Sequence, residues 1–145
     1  MLDYKYLNSD YYAWIERAVE YAEDVLDVHV DLVAEKDEFI YEVNNAKSKV
    51  TVRGRTPPRD KLYILLHEVA HAHRLKFNSE DSTFFMDRSG SGNEREKLMT
   101  LMEEILAWHQ AEEIAEMLGI PIERRAWQRL VNKTAERYLD WIEED

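Results

Sequence analysis

Apolar residues recur at helical spacing over the first stretch of the chain: Tyr11, Trp14, Ile15, Ala18, Val19, Ala22 and Val25. This spacing predicts an amphipathic helix from about Ser9 to Leu26, capped by Asn8 or Ser9. The period then changes. Val28, Val30 and Leu32 alternate with His29 and Asp31, and Phe39, Tyr41 and Val43 alternate after a polar Glu35-Lys36-Asp37 turn. Each run reads as a strand. Asn44-Asn45 turns the chain again, and Val50-Thr51-Val52-Arg53 gives a third short strand ending at Gly54.

The helical period returns at Thr56-Pro57-Pro58, where Thr can cap and Pro loses nothing at the first helical position. A mostly apolar helix is expected from about Pro57 to Leu75. Residues from about Asn78 to Asn93 are rich in Ser, Asp, Gly and Asn and read as a loop, with Phe84, Phe85 and Met86 as a tether to the body. A long helix follows from about Glu94 to Leu118, capped by Asn93 and stopped by Gly119. Pro121 opens a last helix reaching about Ile142, with an apolar face of Ala126, Trp127, Leu130, Val131, Ala135, Tyr138, Leu139 and Ile142. The expected fold is α+β: an N-terminal helix, a small three-stranded, mostly antiparallel sheet, then three helices, in one domain over 1–145.

Composition narrows the function classes. With 45% hydrophobic residues the chain can bury a core, and with no cysteine it has neither disulfides nor a thiol nucleophile. The missing cysteines fit a reducing compartment. A net charge of −11 opposes binding to nucleic acid and anionic membranes. Arg53, Gly54, Arg55 and Arg59 form the one small basic cluster. No stretch reaches the roughly 18–20 apolar residues of a membrane span, and Met1-Leu2-Asp3-Tyr4-Lys5 lacks the regions of a signal peptide, so a cytoplasmic protein is expected.

The chemistry concentrates in His67-Glu68-Val69-Ala70-His71. Two His four residues apart lie on one helix face, so both imidazoles can reach one metal ion. Glu68 is turned beside that metal and can take a proton from a zinc-bound water. The surrounding helix is apolar, so these polar groups need a partner. A third ligand is required. His73 sits on another face, position 77 is Phe77, and Arg74 stands where a Gly would extend the motif. Another element must supply it. In the long helix, Leu101, Ile105, Trp108, Ala111, Ala115 and Leu118 form an apolar stripe interrupted by Glu104. A carboxylate on a packed face needs a partner, and a metal would provide one. Glu103, about 100° round the helix and nearer solvent, ranks second. Ala107 and Ala111 allow the two helices to approach closely. His109 and His29 read as surface or supporting residues, and Tyr63 or Tyr138 as a candidate oxyanion donor.

His67-Glu68-Val69-Ala70-His71 followed by Glu104-Ile105-Leu106-Ala107-Trp108 resembles the gluzincins, zinc metallopeptidases with two His on one helix and a Glu on the next. The small size is similar to compact bacterial and phage members such as the ImmA/IrrE-like proteins. The resemblance spans roughly Val28 to Leu118. It implies zinc held by His67, His71 and Glu104, with Glu68 as general base, and cleavage of a protein or peptide substrate. It also implies that the strand Val50–Arg53 lines the cleft and pairs with an extended peptide. The Asp that larger gluzincins carry four residues after the Glu ligand is Trp108 here, and no helix-turn-helix domain accompanies the motif. The loop from Asn78 to Asn93 would act as a lid or substrate collar. The alternative is a non-catalytic, zinc-stabilised protein of the same fold whose acidic surface binds a partner.

Overall fold

The computed structural model describes residues 6–32, 36–43, 46–53, 56–77 and 94–143, with the backbone alone for 31–53. In chain order the elements are α1 (Asn8–Val25), β1 (Val28–Leu32), β2 (Lys36–Val43), β3 (Ala46–Arg53), α2 (Pro58–Phe77), α3 (Glu94–Leu118) and α4 (Arg124–Glu143).

The expected α+β class is corrected. Among residues described with their side chains, 86% lie in four helices and the sole strand is the short beginning of β1. The fold is mostly helical. The backbones of β1, β2 and β3 pair as an antiparallel ribbon in that order, with Val28 opposite Tyr41 and Phe39 opposite Val50. Among residues described with their side chains, it adds Val28 and Val30 to the core. Alternation at 28–53 marks extended chain, while the four helices supply most of the core among residues described with their side chains.

Helix α2 is the centre. Leu62, Tyr63, Leu65, Leu66, Val69, Ala70 and Ala72 are all buried, so apolar residues on nearly every face meet protein. Each fully buried Leu contributes roughly 1.5–3 kcal/mol relative to exposure. Tyr11, Ile15, Ala18 and Ala22 of α1 pack on one side, and α3 and α4 close the other.

Helix ends show where local chemistry overrode the expected boundaries. α1 begins after Leu7, whose N–H donates to the Asp10 carboxylate at 2.8 Å, so the cap interaction comes from inside the first turn. α2 starts one residue late because Lys61 N–H bonds the Pro57 carbonyl, making Pro58 the first helical residue. α3 ends as expected at Gly119, whose φ of +71° admits the left-handed turn. Gly119 N–H bonds Glu116 O and Ile120 N–H bonds Ala115 O, which satisfies two orphan carbonyls. The expected loop from Asn78 to Asn93, with the cap Asn93 at its end, lies outside the described residues. α4 starts at Arg124 rather than Pro121. Glu123 N–H is taken by the Tyr63 hydroxyl, and the first helical bond runs from Trp127 N–H to Glu123 O.

Two packed faces are rotated from their expected positions. α3 turns Thr100, Glu103, Ala107, Trp108, Ala111, Ile114 and Ala115 inward and leaves Leu98, Met102 and Leu106 exposed. Small alanines at 107, 111 and 115 let α3 lie close to α2. α4 buries Ala126, Trp127, Thr134, Tyr138 and Trp141, while Leu139 faces out. Among the described residues no helix is long and apolar enough to cross a membrane.

Candidate metal centre

The helical repeat of α2 sets His67 above His71 on the face turned to α3. Their rings stand edge to face at 4.5 Å, and the two Nε2 atoms are 3.1 Å apart. Glu104 reaches across from α3 and places one carboxylate oxygen, Oε2, 2.7 Å from His67 Nε2 and 3.0 Å from His71 Nε2. Its other oxygen accepts a 2.7 Å hydrogen bond from the Tyr138 hydroxyl of α4. Trp108, one helical turn after Glu104, stacks on His67 at 4.2 Å and 25°. The Trp108 indole N–H donates to Thr134 Oγ1, whose own hydroxyl donates to the Leu130 carbonyl. Three helices therefore hold the cluster.

Hydrogen bonding alone accounts poorly for this triangle. A neutral imidazole carries one proton. If both His carry it on Nε2, two N–H groups face each other. If one does not, its lone pair faces a carboxylate oxygen. Either way like meets like inside a buried site. The carboxylate favours a charged imidazole, which matches its charge but leaves that clash in place. Burial pushes the His71 pKa down, but Glu104 overrides it and the net shift is upward. Burial likewise pushes the Glu104 carboxyl up, yet bonding to His67 and His71 holds it well below the usual carboxylate range. A divalent cation would resolve that clash. Donor atoms about 2.0–2.2 Å from one tetrahedral zinc stand roughly 3.3–3.5 Å from one another, and the three here are slightly tighter. His67, His71 and Glu104 are the sole such group among the described residues. The Nδ1 atom of His67 is buried with no hydrogen-bond partner among those residues.

The structure separates the two candidate carboxylates in a way the apolar stripe did not. Glu103, expected nearer solvent, is 4% exposed and lies on the packed face. It grips Arg74 with both oxygens, at 2.7 Å and 3.0 Å. Its Oε2 stands 3.9 Å from His71 Nδ1. The rotation of α3 puts Glu103 inward and Glu104 at the edge of the packed face, beside open space. Sequence reasoning passed over Arg74 as a partner. The signal was present: Arg74 falls seven residues after His67, on the same stripe, and a buried guanidinium demands a carboxylate.

A cleft of about 550 Å³ opens beside the cluster, lined by His67, Glu68 and Glu104 together with Ile64, Trp108, Leu130, Tyr138 and a run of charged α4 residues that includes Lys133 and Arg137. Glu68, rotated one residue from His67, thus faces the same space as the cluster. The other candidates sit elsewhere. The Tyr63 hydroxyl oxygen accepts from Glu123 N–H, and Tyr63 is not among the residues that line the cleft. His73 Nδ1 lies 2.9 Å from the Tyr21 hydroxyl, on the α1 side of α2. His109 lines a separate surface hollow with Glu112 and Glu113, and His29 is exposed near Glu23. In the expected basic cluster, Arg59 pairs with Glu123, Arg53 is described by its backbone alone, and Gly54 and Arg55 lie outside the described residues. The lid expected over 78–93 also lies outside them.

Compared with known proteins, the chain matches no family model, no curated sequence and no solved structure.

Proposed function

We propose that the protein is a zinc-dependent metallopeptidase, with His67, His71 and Glu104 as ligands and Glu68 as general base. The observation that carries this reading is the convergence of His67 Nε2, His71 Nε2 and Glu104 Oε2 within 3.1 Å, at the wall of a cleft that Glu68 also lines. Two imidazoles and a carboxylate suit zinc, and three protein ligands rather than four are the mark of a catalytic site. Zinc bound there supplies Lewis-acid polarisation of a carbonyl and acidifies a water in its open position. The chain's own groups do the rest. Glu68 accepts the proton of the attacking water and returns it to the departing amine. Trp108 and Ile64 give the cleft apolar walls, which restrict water around the reacting bond. β3 pairs with β2 and lies beside α2, and its other edge is where an extended peptide substrate would add a strand. The lack of cysteine and the net charge of −11 support a cytoplasmic protein acting on a protein or peptide, away from nucleic acid and membranes.

The alternative is a non-catalytic protein in which zinc only ties α2 to α3. The two differ at Glu68. In a metallopeptidase Glu68→Gln keeps one zinc per chain and lowers cleavage of an unfolded protein substrate by at least about a hundredfold. Wild-type cleavage rates in that variant, with zinc retained, would remove Glu68 from the mechanism. No cleavage by the zinc-loaded wild type across a broad peptide library favours the structural reading.

A further inference from the structure

We infer that Tyr138 is a positioning residue for the metal centre, holding Glu104 so that it presents a single oxygen to the two histidines. The inference rests on the metal-site reading and adds α4 to the machinery. Glu104 is the one ligand that comes from outside α2, and its side chain must choose among several rotamers. His67 and His71 meet only Oε2. Oε1 is occupied by the Tyr138 hydroxyl at 2.7 Å, a short bond to an ionised acceptor. Tyr138 is itself restrained: it is 5% exposed, and its ring stands edge-on to Trp141 at 5.9 Å. The bond fixes which way the carboxylate faces before any cation arrives. It also withdraws Oε1 from coordination, so Glu104 can offer one donor rather than two and a position stays open toward the cleft. The same bond commits the hydroxyl to Glu104. Tyr138 therefore acts through a ligand, in the manner of the outer partners that tune metal affinity.

The test compares Tyr138→Phe with Tyr63→Phe, both isosteric changes of buried tyrosines. The Tyr63 hydroxyl oxygen accepts from Glu123 N–H, away from the centre, and Tyr63→Phe reports what loss of a buried hydroxyl does by itself. Zinc dissociation constants are measured by competition with a chromophoric chelator, alongside melting of the metal-free proteins. Tyr138→Phe should weaken zinc binding by about 10- to 100-fold while keeping one site per chain. Tyr63→Phe should lower the melting temperature and leave zinc affinity within about twofold of wild type. With cobalt(II) in place of zinc, Tyr138→Phe should change the visible spectrum, as a freed Oε1 alters the coordination. Wild-type zinc affinity in Tyr138→Phe overturns the positioning role and leaves the metal centre standing. Equal weakening in both variants overturns it too, because the effect is then one of general stability. A wild-type protein that binds no zinc overturns the role and the metal-site reading together.

Discussion

Glu103 and Glu104 are neighbours in sequence, and both cross from α3 to α2, yet they meet opposite surroundings. Glu103 faces Arg74 in a closed, two-pronged pair with opposite charges and matched donors and acceptors. Glu104 faces two imidazoles whose nitrogens crowd the same oxygen and each other, at the wall of a cleft. The first arrangement is complete as it stands. The second has more ligating atoms than protons can reconcile. Buried charge as such therefore separates nothing here; the balance of donors to acceptors and access to open space mark one pair as structural and the other as a site.

Removing half of the closed pair is the largest expected effect. Glu103→Ala removes a two-pronged acceptor from a buried guanidinium and should cost about 3–5 kcal/mol. At roughly 2–4 °C per kcal/mol for a domain of this size, the metal-free protein should melt about 10 °C lower. The double change Arg74→Met with Glu103→Leu should recover most of that loss, since a buried pair is often no better than apolar residues of similar volume. A Glu103→Ala protein that melts with the wild type would break the contrast on its structural side.

The open cluster should answer to metal instead. Zinc at about 100 times its dissociation constant should stabilise the wild type by about 2.7 kcal/mol. A chelator should reverse that gain. Glu104→Ala should bind less than about a tenth as much zinc per chain under the same conditions and gain no stability from it, while costing the metal-free protein less than Glu103→Ala does. If Glu104→Ala keeps full zinc and Glu103→Ala loses it, the two roles are exchanged.

The smallest effect lies on the far side of α2. Burial beside Tyr21 holds the His73 imidazole below its ordinary pKa. The unfolded chain then takes up this proton near pH ~6.5 and the folded chain only at lower pH, so stability drops as pH falls through about 6.5. His73→Gln should flatten that part of the melting-temperature profile relative to wild type. An unchanged profile would show that His73 carries no such linkage.

The helices were legible because each carries its own signals: the period of α1, Pro58 at the start of α2, and Gly119 at the end of α3. The motif on α2 was legible for the same reason, since the spacing of His67 and His71 is set within one element. What lay between elements was not. The choice of Glu104 rested on an apolar stripe centred on Leu101 and Ile105, whereas close packing of Ala107, Ala111 and Ala115 against α2 turned α3 toward Glu103. The candidate ligand remained Glu104 while the stated reason for it failed. The α+β expectation failed likewise, because strand alternation shows local chain shape and says nothing of how much core the strands supply. Tyr138 was visible only as an apolar-face residue; its bond to Glu104 depends on how α4 docks.

The stacking of Trp108 on His67 has an optical consequence. An indole in face contact with an imidazole loses excited-state energy when that ring becomes cationic or binds an ion, because the electron-poor ring accepts an electron from the excited indole. Trp108 emission should therefore dim as the centre fills. Trp127 lies 5.0 Å from Trp108 and will share the signal, while Trp14 packs with Tyr6 and Tyr11 of the N-terminal region. Replacing Trp14 and Trp141 with Phe would leave an intrinsic fluorophore pair at the centre, and the protein would report its own occupancy without a label.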